Sequence, residues 1–522
     1  MKSLFISLVY IAFPAFLFSQ QDSIRHNIEN CTYIKDPQEI PEEVVLKYAD
    51  QITHLHIYNL SGREKKGWSK HRSQQSPTCL AIKGNFFPGD NTAPQLPEII
   101  FRFKNLRSLN ISRYEKLPAF PSSITRLENL EELRFSFHEI EAFPEEILQL
   151  KKLKKLDLSN NRIVTLPEGI GTFTHLETLK LESNKISKLP ESISKLTRLK
   201  QLDISGNDIT ALPKSLTALS ELETLFLSKN RIWKLPEDIG NLSSLITLYA
   251  NENRIDRLPA SIGRLLKMRN LYIEDNQLTD LPDSTGALSG LHMLKIDNNK
   301  ITTLPESIGM LRNLEYLHAN NNEIEKLPAS IGRLQKIVYL NIENNQLTEL
   351  PNSIAGLSSL KSLHISDNKI LALPENIGNL SNLETLQADE NKINTLPASI
   401  VRLQKLRHLD ISYNQLTGLP DDIAALSNLQ LLHISDNNIT ALPENIGMLI
   451  NLNYLSANNN KIDKLPESIS LLSNLHTLIL RNNNLSGLPQ NLTKMESLRY
   501  VKLFGNWNLH LNDEQKKFLE EK

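Results

Sequence analysis

Two cysteines in 522 residues are too few for a disulfide-knit scaffold or a multi-cysteine metal cluster. An excess of one charge is lacking as well. The 58 Lys and Arg against 59 Asp and Glu leave a net charge of −1, which removes the electrostatic ground for nucleic acid or an anionic membrane as the main partner. After the first 20 residues no apolar run approaches the roughly 18 residues of a membrane span, so none is expected in the mature chain. Also missing are a GxSxG elbow, a GxxxxGK phosphate loop, HExxH, CxxC and a calcium loop. The expectation is a protein that is not an enzyme and carries neither cofactor nor metal. With 40% hydrophobic and 22% charged residues, the chain reads as soluble and globular.

The first 20 residues stand apart. Lys2 precedes an apolar stretch from Leu4 to Phe18, then Ser19 and Gln20, the pattern of a secretory signal peptide. The apolar core is short for a retained anchor and holds Pro14, and Cys31 lies too far downstream to be a lipoprotein cysteine. A secreted, periplasmic or cell-surface protein is therefore expected.

From residue 121 a single phrase recurs. An apolar residue followed by proline falls at Pro121, Pro144, Pro167 and Pro190, and then every 23 residues to Pro489. Upstream, Pro97 is 24 residues before Pro121, so one residue is inserted there. The unit opening at Leu153 reads LKKLDLSNNRIVTLPEGIGTFTH and the one at Leu360 reads LKSLHISDNKILALPENIGNLSN. Leu153, Leu156 and Leu158 alternate as in a short strand with one face buried. Pro167 suits the first position of a helical turn, where its missing N–H goes unneeded, and Ile170 and Phe173 return to the core. An Asn recurs at 161, 184, 207 and 230 and on to 506, where a bend needs an amide that both donates and accepts. His138 takes its place in one early coil, which predicts a looser bend there. One such coil cannot bury its apolar face, but stacked coils can, with their strands in parallel about 4.8 Å apart.

These residues, in the form LxxLxLxxNxIxxLPxxI, resemble the leucine-rich repeat, in the 23-residue type of Ras-group-related and many bacterial repeat proteins. The resemblance implies an α/β solenoid, a horseshoe with a parallel β-sheet on its concave face and short helical turns on its convex face. It also implies that the concave sheet binds other macromolecules, usually proteins. The secretory leader departs from the intracellular Ras-group members, so an intracellular signalling scaffold is expected only if the leader is not cleaved.

A longer period overlies the first. LPESISKL at Leu189 returns as LPASIGRL at Leu258 and Leu327, LPASIVRL at Leu396 and LPESISLL at Leu465, and in step with it Ala250, Ala319, Ala388 and Ala457 fill an inward position. The expected organisation is a signal peptide at 1–20, an N-terminal cap with an irregular first repeat and an insertion at 21–95, a solenoid of about 18 coils at 96–511 and a capping helix at 512–522. Cys31 and Cys79, both in the N-terminal cap, can form one disulfide in an oxidising compartment, the alternative being two free thiols. Asn512 can cap the last helix, with Leu511, Phe518 and Leu519 covering the final coil.

The informative side chains are those pointing out of the strands. With the first residue of each coil as position 1, these are positions 3, 5, 7 and 8. From the coil at Leu153 to the coil at Leu475 they carry thirteen acids: Asp157, Glu182, Asp203, Glu252, Glu274, Asp275, Asp297, Glu343, Asp367, Asp389, Glu390, Asp410 and Asp436. Five bases oppose them: Lys155, Lys180, Lys229, Lys295 and Arg481. Position 5 adds Phe226, Tyr249, Tyr272, His318 and His364, and position 3 adds Tyr316, Tyr339, His408 and Tyr454. Acids beside aromatic rings fit a basic protein or peptide, whose Lys or Arg stems can lie on the rings, with a carbohydrate as a variant ligand. His318, His364, His408 and His433 are mostly more than one coil apart and are not expected to bind metal. The candidate ligand set is Phe226, Tyr249, Glu252, Tyr272, Glu274, Asp275, Lys295, Asp297, Tyr316, His318, Tyr339, Glu343, His364 and Asp367, on a monomer. The competing reading is a structural or adhesive spacer, whose polar sheet serves solubility and whose β-forming rings only stiffen it.

Overall fold

The computed structural model describes residues 53–58, 79–83, 98–112 and 121–521, and the chain divides into two compact units, residues 1–254 and 255–522. The leader at 1–20, most of the cap at 21–95 and Cys31 lie outside the described residues. Of Cys79 only the backbone is described, so the proposed disulfide lies outside them too.

In the first unit the strands are β1 (His54–Tyr58), β2 (Cys79–Lys83), β3 (Ser108–Ser112), β4 (Glu132–Ser136), β5 (Lys155–Asp157), β6 (Thr178–Lys180), β7 (Gln201–Asp203), β8 (Thr224–Phe226) and β9 (Thr247–Tyr249). In the second they are β10 (Asn270–Tyr272), β11 (Met293–Lys295), β12 (Tyr316–His318), β13 (Tyr339–Asn341), β14 (Ser362–His364), β15 (Thr385–Gln387), β16 (His408–Asp410), β17 (Leu431–His433), β18 (Tyr454–Ser456), β19 (Thr477–Ile479) and β20 (Tyr500–Lys502). Within each unit neighbouring strands pair in parallel, from β3 onward each with the strand one repeat away, as Leu156 with Leu179 and Leu317 with Leu340. At the N-terminal end the order departs from the sequence. β1 pairs with both β2 and β3, aligning Leu55 with Leu80 and with Leu109, so the second strand stands outside the first. β2 falls in the N-terminal cap, beyond the one irregular repeat expected there, although Leu80, Ile82 and Asn85 repeat the strand phrase.

The core follows the repeat. Leu153, Leu156, Leu158, Ile163, Ile170 and Phe173 are fully buried in one coil, and Ala250, Ala319, Ala388 and Ala457 are fully buried in every third. Opposite the strands each coil makes a 3₁₀ turn, such as Glu168–Thr172. Pro167 is not the first residue of that turn but the extended residue before it, at φ −75° and ψ 153°, and its carbonyl accepts the Ile170 N–H at 3.0 Å. A five-residue turn closed by i→i+3 bonds uses the proline to preset the entry angle. Neighbouring turns approach so closely that a Cβ on Gly309 would lie 2.4 Å from the Ser330 carbonyl oxygen.

The recurring Asn forms a ladder between coils. Asn184 Nδ2 donates to the Leu181 carbonyl of its own coil (2.9 Å) and to the Leu158 carbonyl of the preceding coil (3.0 Å), while its Oδ1 accepts the Ile163 N–H (3.0 Å). One buried amide thus satisfies backbone groups that would otherwise be stranded away from water. At the exception, His138 Nε2 bonds the Ile111 carbonyl at 3.2 Å, and its ring stacks on Phe135. The next rung is incomplete, because Asn161 Oδ1 has no partner. The donor side of this rung persists, with Asn161 Nδ2 bonding the Phe135 carbonyl of the preceding coil at 2.9 Å.

Beyond the last coil, helix α1 (Asp513–Glu520) starts at a capping box: Asn512 Oδ1 accepts the Gln515 N–H and Gln515 Oε1 accepts the Asn512 N–H. Leu511, Phe518 and Leu519 are half-buried, and the buried side chain is Gln515, whose Nε2 donates to the Leu488 carbonyl at 3.1 Å.

Candidate ligand-binding face of the sheet

Alternation along each strand sends Leu inward and positions 3 and 5 outward. Positions 7 and 8, which sequence patterning treats alike, are physically different. Position 8 is left-handed in coil after coil, with φ of 54° at Glu252, 56° at Asp275 and 50° at Asp367. Asp and Asn tolerate this conformation, whereas Glu252, Lys229, Glu390 and Tyr413 each oppose it by about 1–2 kcal/mol. Glu252, Asp275, Asp367 and Glu390 at position 8 are exposed at the bend, while Asp436 is half-buried there; at position 7, Glu274, Asp297 and Glu343 are half-buried beside the rings.

In the first unit Phe226 and Tyr249 stack face to face, 4.7 Å apart and 2° from parallel. Glu252 forms a 3.5 Å ion pair with Lys229, with both side chains largely in water, so the pair contributes at most about 1 kcal/mol. Glu182, with Asp203 and Asp157 near it, is held above the usual carboxylate range, chiefly by burial. Two of the three bases here are neutralised, Lys155 by Glu132 and Lys229 by Glu252.

The second unit is different. Nine of the thirteen acids lie in it, from Glu274 to Asp436, against two of the five bases, Lys295 and Arg481. Lys295 Nζ stands 5.8 Å over the Tyr272 ring. Tyr339 lies between two imidazoles, 4.8 Å from His318 and 4.9 Å from His364. These contacts run diagonally, from position 5 of one strand to position 3 of a neighbour, and not along one position as the sequence stripe implies. A second diagonal pair, His433 and Tyr454, stacks at 4.7 Å. Tyr316 stays 38% exposed.

Two carboxylates flank this stack. Glu343 bonds His364 Nδ1 (3.4 Å) and accepts from Asn341 Nδ2 (3.2 Å); the His364 contact is the main reason that it ionises below the ordinary range. Asn341, a neutral residue outside the candidate ligand set, is buried. Asp297 accepts the Asn320 N–H, at 3.1 Å, and has no cation within ion-pair distance among the described residues. Burial, reinforced by Glu274, pushes its pKa up to about 6 against the opposing pull of the Asn320 N–H and of Lys295. Burial also lowers His318 to about 4, with Lys295 and His364 adding to it, so that ring is neutral at pH 7. The result is an acidic, aromatic-lined strip whose most buried charge is uncompensated. Asp367 and Asp275 remain exposed at their bends, outside the stack.

The last coil carries residues that the candidate set omits. Tyr500, Lys502 and Phe504 occupy positions 3, 5 and 7 of the coil opened by Leu498, and Trp507 follows. Phe504 and Trp507 are 74% and 85% exposed.

Comparison with known proteins fits this geometry. The profile of the leucine-rich repeat region matches residues 144–228, 214–297, 260–324, 283–369 and 352–435, and a leucine-rich repeat profile matches 428–449. No curated protein matches the chain. Among solved structures, a leucine-rich repeat protein of Leptospira interrogans is 31% identical, with a TM-score of 0.64 over 79% of this chain and 99% of that one. The plant peptide hormone receptor RGFR1 in complex with RGF2 is 26% identical, with a TM-score of 0.61 over 81% and 79%. The Arabidopsis receptor kinase HAESA in complex with the peptide hormone IDA and the co-receptor SERK1 is 26% identical, with a TM-score of 0.53 over 80% of each. Stacked parallel strands, the Asn ladder and these matches lead to one conclusion: the chain belongs to the leucine-rich repeat family.

Proposed function

We propose that the protein is a non-catalytic recognition module, secreted or exposed at a cell surface, that binds a basic protein or peptide as a monomer through the sheet face of residues 255–522. The observation that carries this reading is Asp297. A half-buried carboxylate with no cation opposes folding unless a ligand neutralises it, and rings beside it give a Lys or Arg stem a surface to lie on. Two of the similar structures are plant receptors that hold peptide hormones, which supports a peptide-sized ligand. One observation favours the spacer reading instead: Phe226, Tyr249, His318, Tyr339 and His364 use ring faces on one another and so stiffen the sheet.

Selection of a random fifteen-residue peptide library on the purified protein separates the two. A recognition face enriches Lys- and Arg-rich peptides on the wild type and loses them on a D297N/E343Q variant. Absence of any enrichment, or equal enrichment on both proteins, refutes the reading in favour of the spacer.

A further inference from the structure

The sheet face of the second unit has two poles. From Glu274 to Asp436 its outward positions are acidic, with Lys295 as the one base. The next coil is neutral at these positions, with Tyr454, Ser456, Asn458 and Asn459. In the last two coils the sign reverses, to Arg481 and Lys502, with no acid at positions 3, 5, 7 or 8. Neither base has a carboxylate within ion-pair distance among the described residues, unlike Lys155 and Lys229 on the first unit. Lys502 Nζ instead lies 4.4 Å over the Tyr500 ring.

Beside these bases stand Phe504 and Trp507, the most exposed large apolar side chains among the described residues, with rings 5.9 Å apart and edge to face. They do not hang on a loose tail. Between them Gly505 takes φ +85°, where a Cβ would collide with Asn482. Asn506 is locked into the ladder by bonds to the Leu480 and Leu503 carbonyls at 2.8 and 2.7 Å. Exposed aromatic rings on a bonded bend form a preorganised contact, because little further conformational freedom is lost when a partner covers them.

We propose, building on the recognition reading above, that this face binds an extended peptide segment whose charge changes sign along its length. Its Lys or Arg residues lie over the acidic strands, and an Asp or Glu beside an apolar side chain lies against Arg481, Lys502, Phe504 and Trp507. Complementarity at both poles sets the register of the segment and excludes a uniformly basic chain, which would meet like charge at the last two coils. The dimensions set its length. Strands about 4.8 Å apart put β10 and β20 roughly 48 Å apart along the sheet, which an extended chain at about 3.3 Å per residue covers in roughly fifteen residues. The three steps from β17 to β20 place the change of sign within about four residues of the acidic end.

The test is position-resolved selection of a random fifteen-residue library on the wild type, on R481Q/K502Q and on W507A, with thermal unfolding to show that each variant is folded. These side chains are exposed or half-buried, so folding should be retained. The wild type should enrich peptides with a basic tract and, at one end, an acidic residue next to an aromatic or aliphatic one. On R481Q/K502Q the acidic preference should disappear while the basic tract persists. On W507A the apolar preference should disappear. A selected peptide should bind R481Q/K502Q about tenfold more weakly than the wild type. Enrichment of basic peptides with no segregated acid, or an acidic preference that survives in R481Q/K502Q, overturns the two-pole proposal and leaves the recognition reading standing. No basic enrichment at all overturns both, and a glycan that binds the wild type but not W507A, without peptide enrichment, assigns the aromatic bend to sugar.

Discussion

Replacing Asp297 by Asn tests whether this face carries a charge that opposes folding. The folded protein raises this carboxyl from 3.8 to about 6, mainly by burial. A group whose pKa is raised on folding binds its proton more tightly in the native state, so stability is highest at low pH and falls as pH rises from about 4 through about 6. A shift of about two units corresponds to about 3 kcal/mol at neutral pH. Part of the side chain reaches solvent, and Asn keeps the acceptor that the Asn320 N–H uses, so a gain of about 1–2 kcal/mol at pH 7.5 is expected for D297N. At pH 4 or below, where wild type is protonated, the two proteins should differ little. Because stacked coils unfold in part as neighbours and not as one block, urea titration at both pH values should be paired with hydrogen exchange of the amides around residues 296–320. A D297N variant that is less stable than wild type at pH 7.5, by the same margin as at pH 4, would refute the argument and make the carboxylate a net stabiliser.

Other consequences are open to measurement. Leu158 is fully buried, so Leu158→Ala should lower stability by about 2–5 kcal/mol in urea unfolding, while Thr178→Ala on the open face should change it little. Gly309→Ala should destabilise by about 1–3 kcal/mol, since its Cβ would meet Ser330, whereas Gly418→Ala has open space and should be neutral or stabilising; equal effects would show that the turns can move apart. Glu390 sits at φ 52°, so Glu390→Asn should raise stability by about 1 kcal/mol, read from the shift in urea midpoint. With a basic peptide selected as above, Tyr316→Ala should act mainly on the dissociation rate, and Glu274→Gln on a salt-sensitive association rate in stopped-flow kinetics.

The identity of the core, the spacing of the strands and the role of the recurring Asn are all legible without coordinates. Each coil meets nearly the same surroundings as the one before, so Leu156, Ile163 and Asn184 have one environment that a 23-residue period records many times over. The matched repeat profiles rest on that same redundancy. The bends at Lys229, Glu252 and Tyr413 are less legible, because a left-handed φ imposed by the coil overrides the preferences of the residue that occupies it. The order of β2, β1 and β3 is another matter, since parallel partners are chosen in space and not along the chain. The face itself depends most on tertiary structure. Tyr339 is exposed by pattern, yet it is held between His318 and His364, because strands about 4.8 Å apart bring diagonal side chains into contact. Asp297 and Asp275 look alike in sequence; burial among neighbouring coils raises the pKa of the first, while the second sits exposed at its bend. Periodicity determines which residues point outward, and only the packing of one coil on the next decides which of them remain free to meet a partner.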